Sequence, residues 1–441
     1  MQLARLAATR VPLGPPGEAV AELRSVRTIR GPPCPLGRYR STSVTVFKTG
    51  PFRPDVRSLG RLPAERTTLY KIAESLPLLG RFRKRVDGES ETRLISDDSI
   101  KDFLGGTQRM LKLGYKASAE QFGPRELLDY AVAAEECGFD SVVVSDHYQP
   151  WRHNGGHAPF SFSWIAAVGE RTKRVELGTS VVTPTFRYHP AVVAQAAATL
   201  GCLFPDRFWL GIGTGESMNE SPLGIEWPDS KERFARLKEA AELMRLLWTE
   251  ERVSYNGTFY RTHRATVYDR PQRPVPLYIA ASGPAAARLA GRIAQGFICT
   301  SGKGMELYAD TLLPSVQEAA AKEGRDTGDI ELTIEMKVSF DTDRQRAMED
   351  TRQWGALALP AEAKIGVEDP MEMERLADEL PTEKAASRWI VSTDPDEHVE
   401  RIQPYLDLGF THLVFHAPGP DQEQFLKLYS KEVLPRLRRR A

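Results

Sequence analysis

The clearest indication of the fold is a β-branched run that ends in polar side chains, Val142-Val143-Val144-Ser145-Asp146-His147-Tyr148-Gln149-Pro150-Trp151. Three consecutive valines are typical of a buried strand, and Pro150 prevents the strand from continuing. A carboxylate, an imidazole and an indole therefore leave the end of a core strand together. In α/β enzymes the loops at the carboxyl ends of parallel strands carry the reactive groups. A lone Asp-His pair is more often structural, so the rest of the chain has to decide between the two interpretations.

Strand and helix patterns alternate from Leu111 to the C-terminus. The predicted strands cover residues 111–117, 139–146, 175–182, 207–213, 275–281, 296–300, 330–340 and 411–416. The predicted helices cover residues 124–137, 160–170, 190–203, 231–248, 306–322 and 421–437, with a further helix opening at Pro284. Eight β-α units in about 330 residues predict an α/β fold, a (β/α)8 TIM barrel with insertions between strands. The alternative is a doubly wound sheet, which would have a Gly-x-Gly-x-x-Gly turn after its first strand, where this chain has Tyr115-Lys116-Ala117-Ser118.

Residues 1–109 differ in composition from the rest of the chain. Gly-Pro-Pro occurs twice, at Gly14-Pro15-Pro16 and Gly31-Pro32-Pro33, arginines are frequent, and apolar periodicity is short and broken. We expect a mostly disordered N-terminal extension here, because so little apolar surface cannot offset the chain entropy. An Arg-rich, acid-poor start is also compatible with an organellar transit peptide. Since Met110 directly precedes the first predicted strand, we expect the folded catalytic domain to cover residues 110–441, and we hypothesise that translation, or at least the folded protein, begins at Met110.

Composition limits the classes of partner. Lys plus Arg and Asp plus Glu each number 59, so charge predicts neither a nucleic acid nor an acidic membrane as partner. No apolar run reaches the ~18 residues of a membrane-spanning helix. The four cysteines form no Cys-x-x-Cys pair, and Cys137, Cys202 and Cys299 fall in apolar patterns. We therefore expect reduced core thiols in a cytoplasmic protein, and no metal site.

Other predicted strand ends also carry small or polar residues. The fourth continues as Gly211-Ile212-Gly213-Thr214-Gly215-Glu216, where glycines let a flat ring or a phosphate approach the backbone. The third ends in small and hydroxylated residues, 178–185, which suit a planar cofactor. The fifth leads into a helix at Pro284, whose free N–H groups favour an anion. The sixth ends in Thr300-Ser301-Gly302-Lys303. Taken singly, Glu216 is equally well a solvated loop residue and Lys303 is more often a surface lysine.

Together these stretches resemble the deazaflavin-dependent glucose-6-phosphate dehydrogenases, which belong to the bacterial luciferase-like group of TIM barrels. The residues that carry the resemblance are Leu113-Gly114-Tyr115-Lys116-Ala117-Ser118, the Ser145–Trp151 stretch quoted above, Gly178-Thr179-Ser180-Val181, Gly213-Thr214-Gly215-Glu216 with Asn219, and Cys299-Thr300-Ser301-Gly302-Lys303. The match runs from about Leu111 to the C-terminus, and five motifs in the same order at strand ends make it specific.

The resemblance implies coenzyme F420, a deazaflavin with a phosphate and a glutamate tail, and no metal. It implies that the coenzyme is contacted by Asp146, Ser180, Val181, Thr183, Thr214, Gly215, Asn219, Ser282, Gly283, Ala285 and Ala286. It also implies a cis peptide bond between Ser180 and Val181. The implied catalytic residues are His147, Glu216 and Trp151, and the implied sugar-phosphate ligands are Thr300, Lys303, Lys364 and Arg388. Ser282 stands where the family usually has glycine, and this would disturb the turn if the residue needs a positive φ.

The implied reaction is the oxidation of D-glucose 6-phosphate at C1 to 6-phosphogluconolactone, with hydride transfer to the deazaflavin. A neutral histidine is the easier base near pH 7, so we assign the base to His147 and the donor to Glu216, and the opposite assignment stays open. The resemblance further implies a homodimer that binds neither nucleic acid nor membrane. Three alternatives are another F420-dependent dehydrogenase or reductase, an FMN-dependent luciferase-like monooxygenase, and a non-catalytic sugar-phosphate binding protein.

Overall fold

The chain divides into two compact units, Met1–Gln108 and Arg109–Ala441. The computed structural model describes residues 110–440 and, in the first unit, the strands Arg27–Ile29, Thr42–Thr49, Thr67–Ala73, Gly80–Val86 and Glu89–Ile95. The first three of these strands form one sheet and the last two pair antiparallel. The expectations about order and processing of residues 1–109 fall mainly outside the described residues, and they stay predictions.

The second unit is a closed barrel of parallel strands. In chain order its strands are β1 (Lys112–Ala117), β2 (Ser141–Val144), β3 (Glu176–Thr179), β4 (Phe208–Ile212), β5 (Leu277–Ala280), β6 (Gly296–Thr300), β7 (Glu331–Phe340), β8 (Ile390–Ser392) and β9 (His412–His416). Strands β1 to β6 pair in sequence, β6 pairs with β7, β7 with β9, and β9 with β1. The ring has eight strands, since β8 pairs only with the end of β7 and lies outside the ring. The predicted eight-stranded barrel is thus confirmed and the doubly wound alternative is wrong, because the sheet closes on itself.

Helices connect the strands, as the sequence predicts. They are α1 (Pro124–Glu136), α2 (Ser161–Arg171), α3 (Pro190–Leu203), α4 (Ser217–Glu220), α5 (Ser230–Thr249), α6 (Pro284–Ile293), α7 (Leu313–Lys322), α8 (Arg344–Asp350), α9 (Pro370–Asp378), α10 (Thr382–Ala386), α11 (Pro395–Asp407), α12 (Gln422–Glu432) and α13 (Leu434–Arg440). Short 3-10 turns lie at Ser221–Leu223, Thr327–Asp329, Thr351–Ala358 and Glu362–Lys364.

Two predicted helices are divided where a proline lacks the N–H that a continuous helix needs. Residues 306–322 form a π-helical segment, Leu307–Leu312, followed by α7, which has Pro314 in its first turn. Residues 421–437 form α12 and α13, and Pro435 lies at the start of α13. Each single predicted helix is therefore two consecutive segments.

The Asn256-Gly257 pair within residues 254–260 predicts a hairpin with a type I′ turn, and the structure shows that this prediction is wrong in its geometry. A type I′ turn needs positive φ at both central residues, but neither Asn256 nor Gly257 is among the described residues with positive φ. The carboxylate of Glu239, on α5, instead accepts the backbone N–H groups of residues 258, 259 and 260. A tertiary contact therefore fixes this loop, and the local sequence could not reveal it.

Aromatic rings fill the middle of the barrel. The rings of Trp209 and Tyr278 stack with centroids 4.4 Å apart. Two glycines make room for them: a Cβ at Gly178 would lie 2.1 Å from the Trp209 ring, and one at Gly296 would lie 2.3 Å from the Tyr278 ring. The barrel is consequently a packed core with no central pore, and any ligand site has to lie at an end.

A partly buried ion-pair group lies where the barrel strands begin. Lys112 lies 2.7 Å from Glu176 and 2.8 Å from Glu331, and Glu331 in turn lies 2.7 Å from Nδ1 of His412. Oxygen and nitrogen atoms of Glu176, Glu331 and His412 are close enough together to suit a metal ion, but Lys112 already supplies the cation. We interpret this group as a structural ion-pair network at the end of the barrel opposite the predicted site.

The cysteine prediction holds only in part. The three cysteines of the described region are free, but Cys202 is exposed and Cys137 is half-buried, and of the three only Cys299 is a core thiol. Cys202 lies near the end of α3, where the helix face turns to solvent. Cys34 lies outside the described residues. No helix among the described residues is long and apolar enough to cross a membrane.

Candidate active site

The loops at the carboxyl ends of β1, β2 and β4 bring two carboxylates to one histidine. Nδ1 of His147 lies 2.8 Å from Oε1 of Glu120, and its Nε2 lies 3.7 Å from Oε2 of Glu216. The side chain of Glu120 is 4% exposed, whereas that of Glu216 is 45% exposed. We call the end of the barrel formed by the loops that carry Glu120, His147 and Glu216 the mouth. The hydroxyl of Ser145 donates a hydrogen bond of 2.6 Å to Glu120. Glu120 therefore contacts the imidazole on its Nδ1 side, and Nε2 faces the mouth.

The charges in this cluster are mutually dependent. Burial opposes the charge on Glu120, but His147, Lys116 and Ser145 favour the carboxylate and lower its pKa to about 2. Burial also opposes the charge on His147, but the two carboxylates outweigh it and raise the pKa of the imidazole. Although nearly half of the Glu216 side chain is exposed, the surrounding protein partly removes its carboxyl from water and raises its pKa, and the neighbouring His147 acts against that rise. A histidine and a carboxylic acid with raised pKa values form a plausible proton-transfer pair.

Trp151 lies beside this pair. Its ring centroid is 6.2 Å from that of His147, edge to face, and the ammonium of Lys364 lies 5.8 Å from the indole centroid. Lys364 also interacts electrostatically with Glu216. The predicted catalytic residues and one predicted phosphate ligand thus share the same mouth.

Three of the predicted phosphate ligands, Lys303, Lys364 and Arg388, form a group of cations. Burial lowers the pKa of Lys364; Glu216 acts against this shift, and Arg388 and Lys303 add to it. Burial and Arg388 likewise lower the pKa of Lys303. Within the part of the chain that the structure describes, none of the three forms an ion pair with an acidic side chain, and buried Nε of Arg388 has no hydrogen-bond partner. Three such cations favour a multiply charged anion. The side chain of the fourth predicted ligand, Thr300, is exposed at the end of β6.

The end of β3 forms a shelf in the mouth. The Ser180–Val181 peptide bond is cis, as the resemblance implies, and the strand pairs with β4 again at Val182. The ammonium of Lys116 donates a hydrogen bond of 3.0 Å to the carbonyl of Ser180. A Cβ at Gly213 would lie 2.7 Å from Cγ2 of Val181. Gly213 is therefore needed to make room for Val181, and the approach of a ligand to the backbone of this loop stays a prediction.

Two predicted coenzyme ligands already have protein partners. The buried carboxylate of Asp146 accepts hydrogen bonds from Ser161, at 2.7 Å, and from Arg187, at 2.6 Å. Arg187 also pairs with buried Glu220. Oδ1 of Asn219 accepts hydrogen bonds from the backbone N–H groups of residues 148 and 149, at 2.7 and 3.1 Å. Both side chains therefore hold the loop that presents His147.

The other predicted coenzyme ligands lie on two loops. Thr183 is buried, while Thr214 and Gly215 are half-buried, and Gly215 has a φ of +81° that only glycine adopts readily. Ser282 and Gly283 precede α6, and Ala285 and Ala286 lie in its first turn. Ser282 is not among the described residues with positive φ, so serine suits this turn as well as glycine does.

Sequence reasoning missed several residues that shape the site, namely Lys116, Glu120, Arg187, Glu220, Glu335 and Lys337. A signal for some of them was available. Glu120 follows the end of β1 by three positions, and Lys116, Glu335 and Lys337 are charged residues inside predicted buried strands. Charged residues at such positions need partners, which the sequence alone does not name.

Comparison with known proteins agrees with the geometry. Residues 110–412 match the family model described as luciferase-like monooxygenase. An F420-dependent glucose-6-phosphate dehydrogenase of Nakamurella multipartita is 68% identical over 328 residues, which cover 74% of this chain and 97% of the relative. The chain belongs to the family of F420-dependent glucose-6-phosphate dehydrogenases. An enzyme of the same name from Beutenbergia cavernae is 66% identical over 75% of this chain and 98% of its own length.

Solved structures give the same family of folds. An F420-dependent secondary alcohol dehydrogenase in complex with an F420-acetone adduct has a TM-score of 0.70 and 31% identity, covering 74% of this chain and 99% of that one. The F420-dependent tetrahydromethanopterin reductase of Methanopyrus kandleri, at 22% identity and a TM-score of 0.63, shares the fold over the same 74% of this chain and 99% of its own.

Proposed function

We propose that this protein oxidises D-glucose 6-phosphate at C1 to 6-phosphogluconolactone, with coenzyme F420 as hydride acceptor. The C1–H bond supplies the hydride, the C1 hydroxyl loses its proton, and a C=O bond forms. When bound, the deazaflavin supplies the electrophilic carbon that accepts the hydride. The observation that carries the proposal is that Lys364 interacts electrostatically both with Glu216, which lies 3.7 Å from His147, and with the other two cations, Lys303 and Arg388. This places proton transfer next to anion binding, as a sugar phosphate requires.

The residues of the mouth fit coenzyme F420. Val181 and Trp151 offer apolar surfaces for a planar ring. At α6, no described side chain caps the helix N-terminus, and a Cβ at Gly283 would meet nothing within 4 Å. Open space at a helix N-terminus suits the anionic tail of the coenzyme, because free N–H groups and the helix dipole favour negative charge. Gly283, Ala285 and Ala286 would hold that tail.

His147 is the better candidate for the base. Glu120 stays ionised and lies 2.8 Å from Nδ1, so it favours the tautomer in which Nδ1 carries the proton. Nε2 then has a free lone pair toward the mouth and accepts the proton of the C1 hydroxyl. The same carboxylate stabilises the imidazolium that results.

Glu216 is the candidate for the proton donor. Its raised pKa keeps part of the population protonated at a pH where an ordinary glutamate is fully ionised. Because its carboxyl lies 3.7 Å from His147, the two groups titrate as a coupled pair. The pH–rate profiles of His147→Ala and Glu216→Gln separate the roles: we expect the first to lose the acidic limb and the second the alkaline limb.

The phosphate group would lie among Thr300, Lys303, Lys364 and Arg388. A dianion gains from several cations, and Arg388 adds a planar set of donors that lysine lacks. This group distinguishes the proposal from an F420-dependent alcohol dehydrogenase, which has no need of a phosphate site. It also distinguishes it from a luciferase-like monooxygenase.

The deciding experiment is turnover of glucose 6-phosphate by the purified protein with coenzyme F420, FMN and NADP in parallel. We expect reduction of F420 alone, with glucose 6-phosphate strongly preferred to glucose and to 2-propanol. Turnover of 2-propanol without glucose 6-phosphate activity would favour the alcohol dehydrogenase. Binding of glucose 6-phosphate without turnover would favour a sugar-phosphate binding protein.

We also propose a homodimer located in the cytoplasm. The unpaired cysteines of the described region suit a reducing compartment. Light scattering coupled to size-exclusion chromatography tests the first part, since a mass of one chain would contradict it. Cell fractionation tests the second.

A further inference from the structure

Lys116 interacts with two parts of the site: the Ser180 shelf at the end of β3 and the Glu120–His147 pair. Its side chain is 4% exposed, in the interior of the barrel on β1. Nζ donates a hydrogen bond of 3.0 Å to the carbonyl of Ser180 and lies 3.5 Å from Oε2 of Glu335. The hydroxyl of Ser180 also contacts Glu335, at 3.5 Å. Lysine is rarely buried to this extent without a specific reason.

The charged groups around Lys116 lie on two levels: one inside the barrel and one on the loops of the mouth. Glu335 and Lys337 are on β7 and lie 3.4 Å apart, and His416 on β9 lies 3.4 Å from Glu335. Above them are Glu120, His147 and Glu216, on the loops after β1, β2 and β4. The positive charge of Lys116 lowers the pKa values of all three of these upper groups and of His416.

We propose that Lys116 is a positioning residue for coenzyme binding and proton transfer, which anchors the Ser180 shelf through its carbonyl and adds a fixed positive charge beneath the His147 cluster. It touches neither substrate nor coenzyme in this role. The inference rests on the proposed function for the identity of the coenzyme and of the base. A single lysine then adjusts both the surface under the ring and the protonation of the groups beside it.

The contrast with Lys337 makes the proposal testable. Both lysines are buried and both pair with Glu335 at similar distances, 3.5 and 3.4 Å. Of the two lysines, only Lys116 bonds to the carbonyl of Ser180. Replacing either lysine with methionine leaves Glu335 one lysine partner, so both variants should fold with similar losses of stability. A purely structural role would make the two variants alike in coenzyme binding.

The experiment titrates coenzyme F420 alone, without sugar phosphate, and follows its fluorescence. We expect Lys116→Met to raise the Kd for the coenzyme by about tenfold, since a hydrogen bond from a charged donor is lost, and Lys337→Met to stay within about twofold of the wild type. We further expect Lys116→Met, but not Lys337→Met, to move the acidic limb of the kcat/KM profile to higher pH. The sign follows because the imidazole of His147 loses a repelling charge and its pKa rises.

A wild-type Kd and an unmoved acidic limb in Lys116→Met, with a fall in Tm equal to that of Lys337→Met, would overturn the proposal. If Lys116→Met does not fold, Lys116→Gln removes the charge and keeps a polar side chain. We expect it to show the same rise in Kd and the same shift of the acidic limb, and a wild-type Kd with an unmoved limb would again overturn the proposal. Coenzyme binding by the wild type without turnover of glucose 6-phosphate would contradict the proposed substrate and leave the titration valid. Absence of coenzyme binding by the wild type would contradict both the proposed function and the proposed role of Lys116.

Discussion

Oε1 of Glu120 lies 2.8 Å from Nδ1 of His147, although the two residues come from loops after different strands. The carboxylate is almost fully enclosed and also accepts a hydrogen bond from Ser145, so it has no direct route to substrate. It raises the pKa of the imidazole. In the proposed mechanism it acts through the ring, because its charge favours the tautomer with the proton on Nδ1 and leaves Nε2 as the base.

Replacement of Glu120 by glutamine tests this relationship. The carboxylate raises the pKa of His147, so its loss lowers that pKa and shifts the acidic limb of kcat/KM to lower pH. We also expect kcat to fall by about 10²-fold, the usual effect of disturbing general-base catalysis. Glu126→Gln, an exposed acidic residue on α1, is the control. An acidic limb that stays in place, or moves to higher pH, would contradict the assignment.

Removal of the cations tests the phosphate site. We expect Lys364→Ala and Arg388→Ala each to raise KM for glucose 6-phosphate by about 10- to 100-fold, with a smaller effect on kcat, because each removes a charge-assisted bond. The change should be smaller with unphosphorylated glucose. Lys384→Ala is a matched control, since Lys384 is an exposed lysine on neighbouring α10. A loss of kcat at constant KM would show that these residues do something other than bind the substrate.

A larger residue at Gly283 tests where the coenzyme tail lies. Gly283 has extended backbone, φ −155°, and a Cβ there meets nothing within 4 Å. Gly283→Leu should therefore change the free energy of unfolding of the free protein by no more than about 0.5 kcal/mol. We expect the Kd for coenzyme F420 to rise at least severalfold, as measured by fluorescence titration. Unchanged affinity would place the tail elsewhere.

The ion-pair network at the opposite end of the barrel should stabilise the fold in a pH-dependent way. Burial opposes the charge on Glu331, but His412 and Lys112 lower its pKa to about 2 from the ordinary 4.5. Its contribution is present above pH 4.5 and is lost as the pH falls from there toward 2. We expect Glu331→Gln to cost about 3 kcal/mol at neutral pH, and the difference from the wild type to shrink below that range.

Urea unfolding at several pH values measures this difference. Glu423→Gln is the control, since Glu423 forms an exposed pair with Lys427 at 2.9 Å and should contribute less than about 1 kcal/mol. A difference that is constant with pH, or that grows in acid, would mean that Glu331 is not held ionised by its partners.

Local sequence patterns predicted the strands, the helices and several residues of the site. Apolar alternation located all eight barrel strands to within a few residues, and Pro124, Pro190 and Pro284 marked helix starts correctly. The strand-end rule identified His147 and Glu216, which the fold brings to 3.7 Å. Assigning the cations Lys364 and Arg388 to a phosphate needed the family resemblance, because nothing in their own neighbourhoods distinguishes them from surface residues.

The sequence by itself indicated the barrel, because eight strand patterns recur with helical patterns between them and no dinucleotide-binding turn follows the first strand. Only the tertiary structure decided which polar groups meet. Glu120 faces His147, Lys116 holds Ser180, and Arg187 takes the carboxylate of Asp146. These contacts join residues that lie far apart in the chain, such as the 64 positions between Lys116 and Ser180 and the 41 between Asp146 and Arg187. Burial forces charged groups to find partners, but only closure of the barrel selects which partner lies within reach.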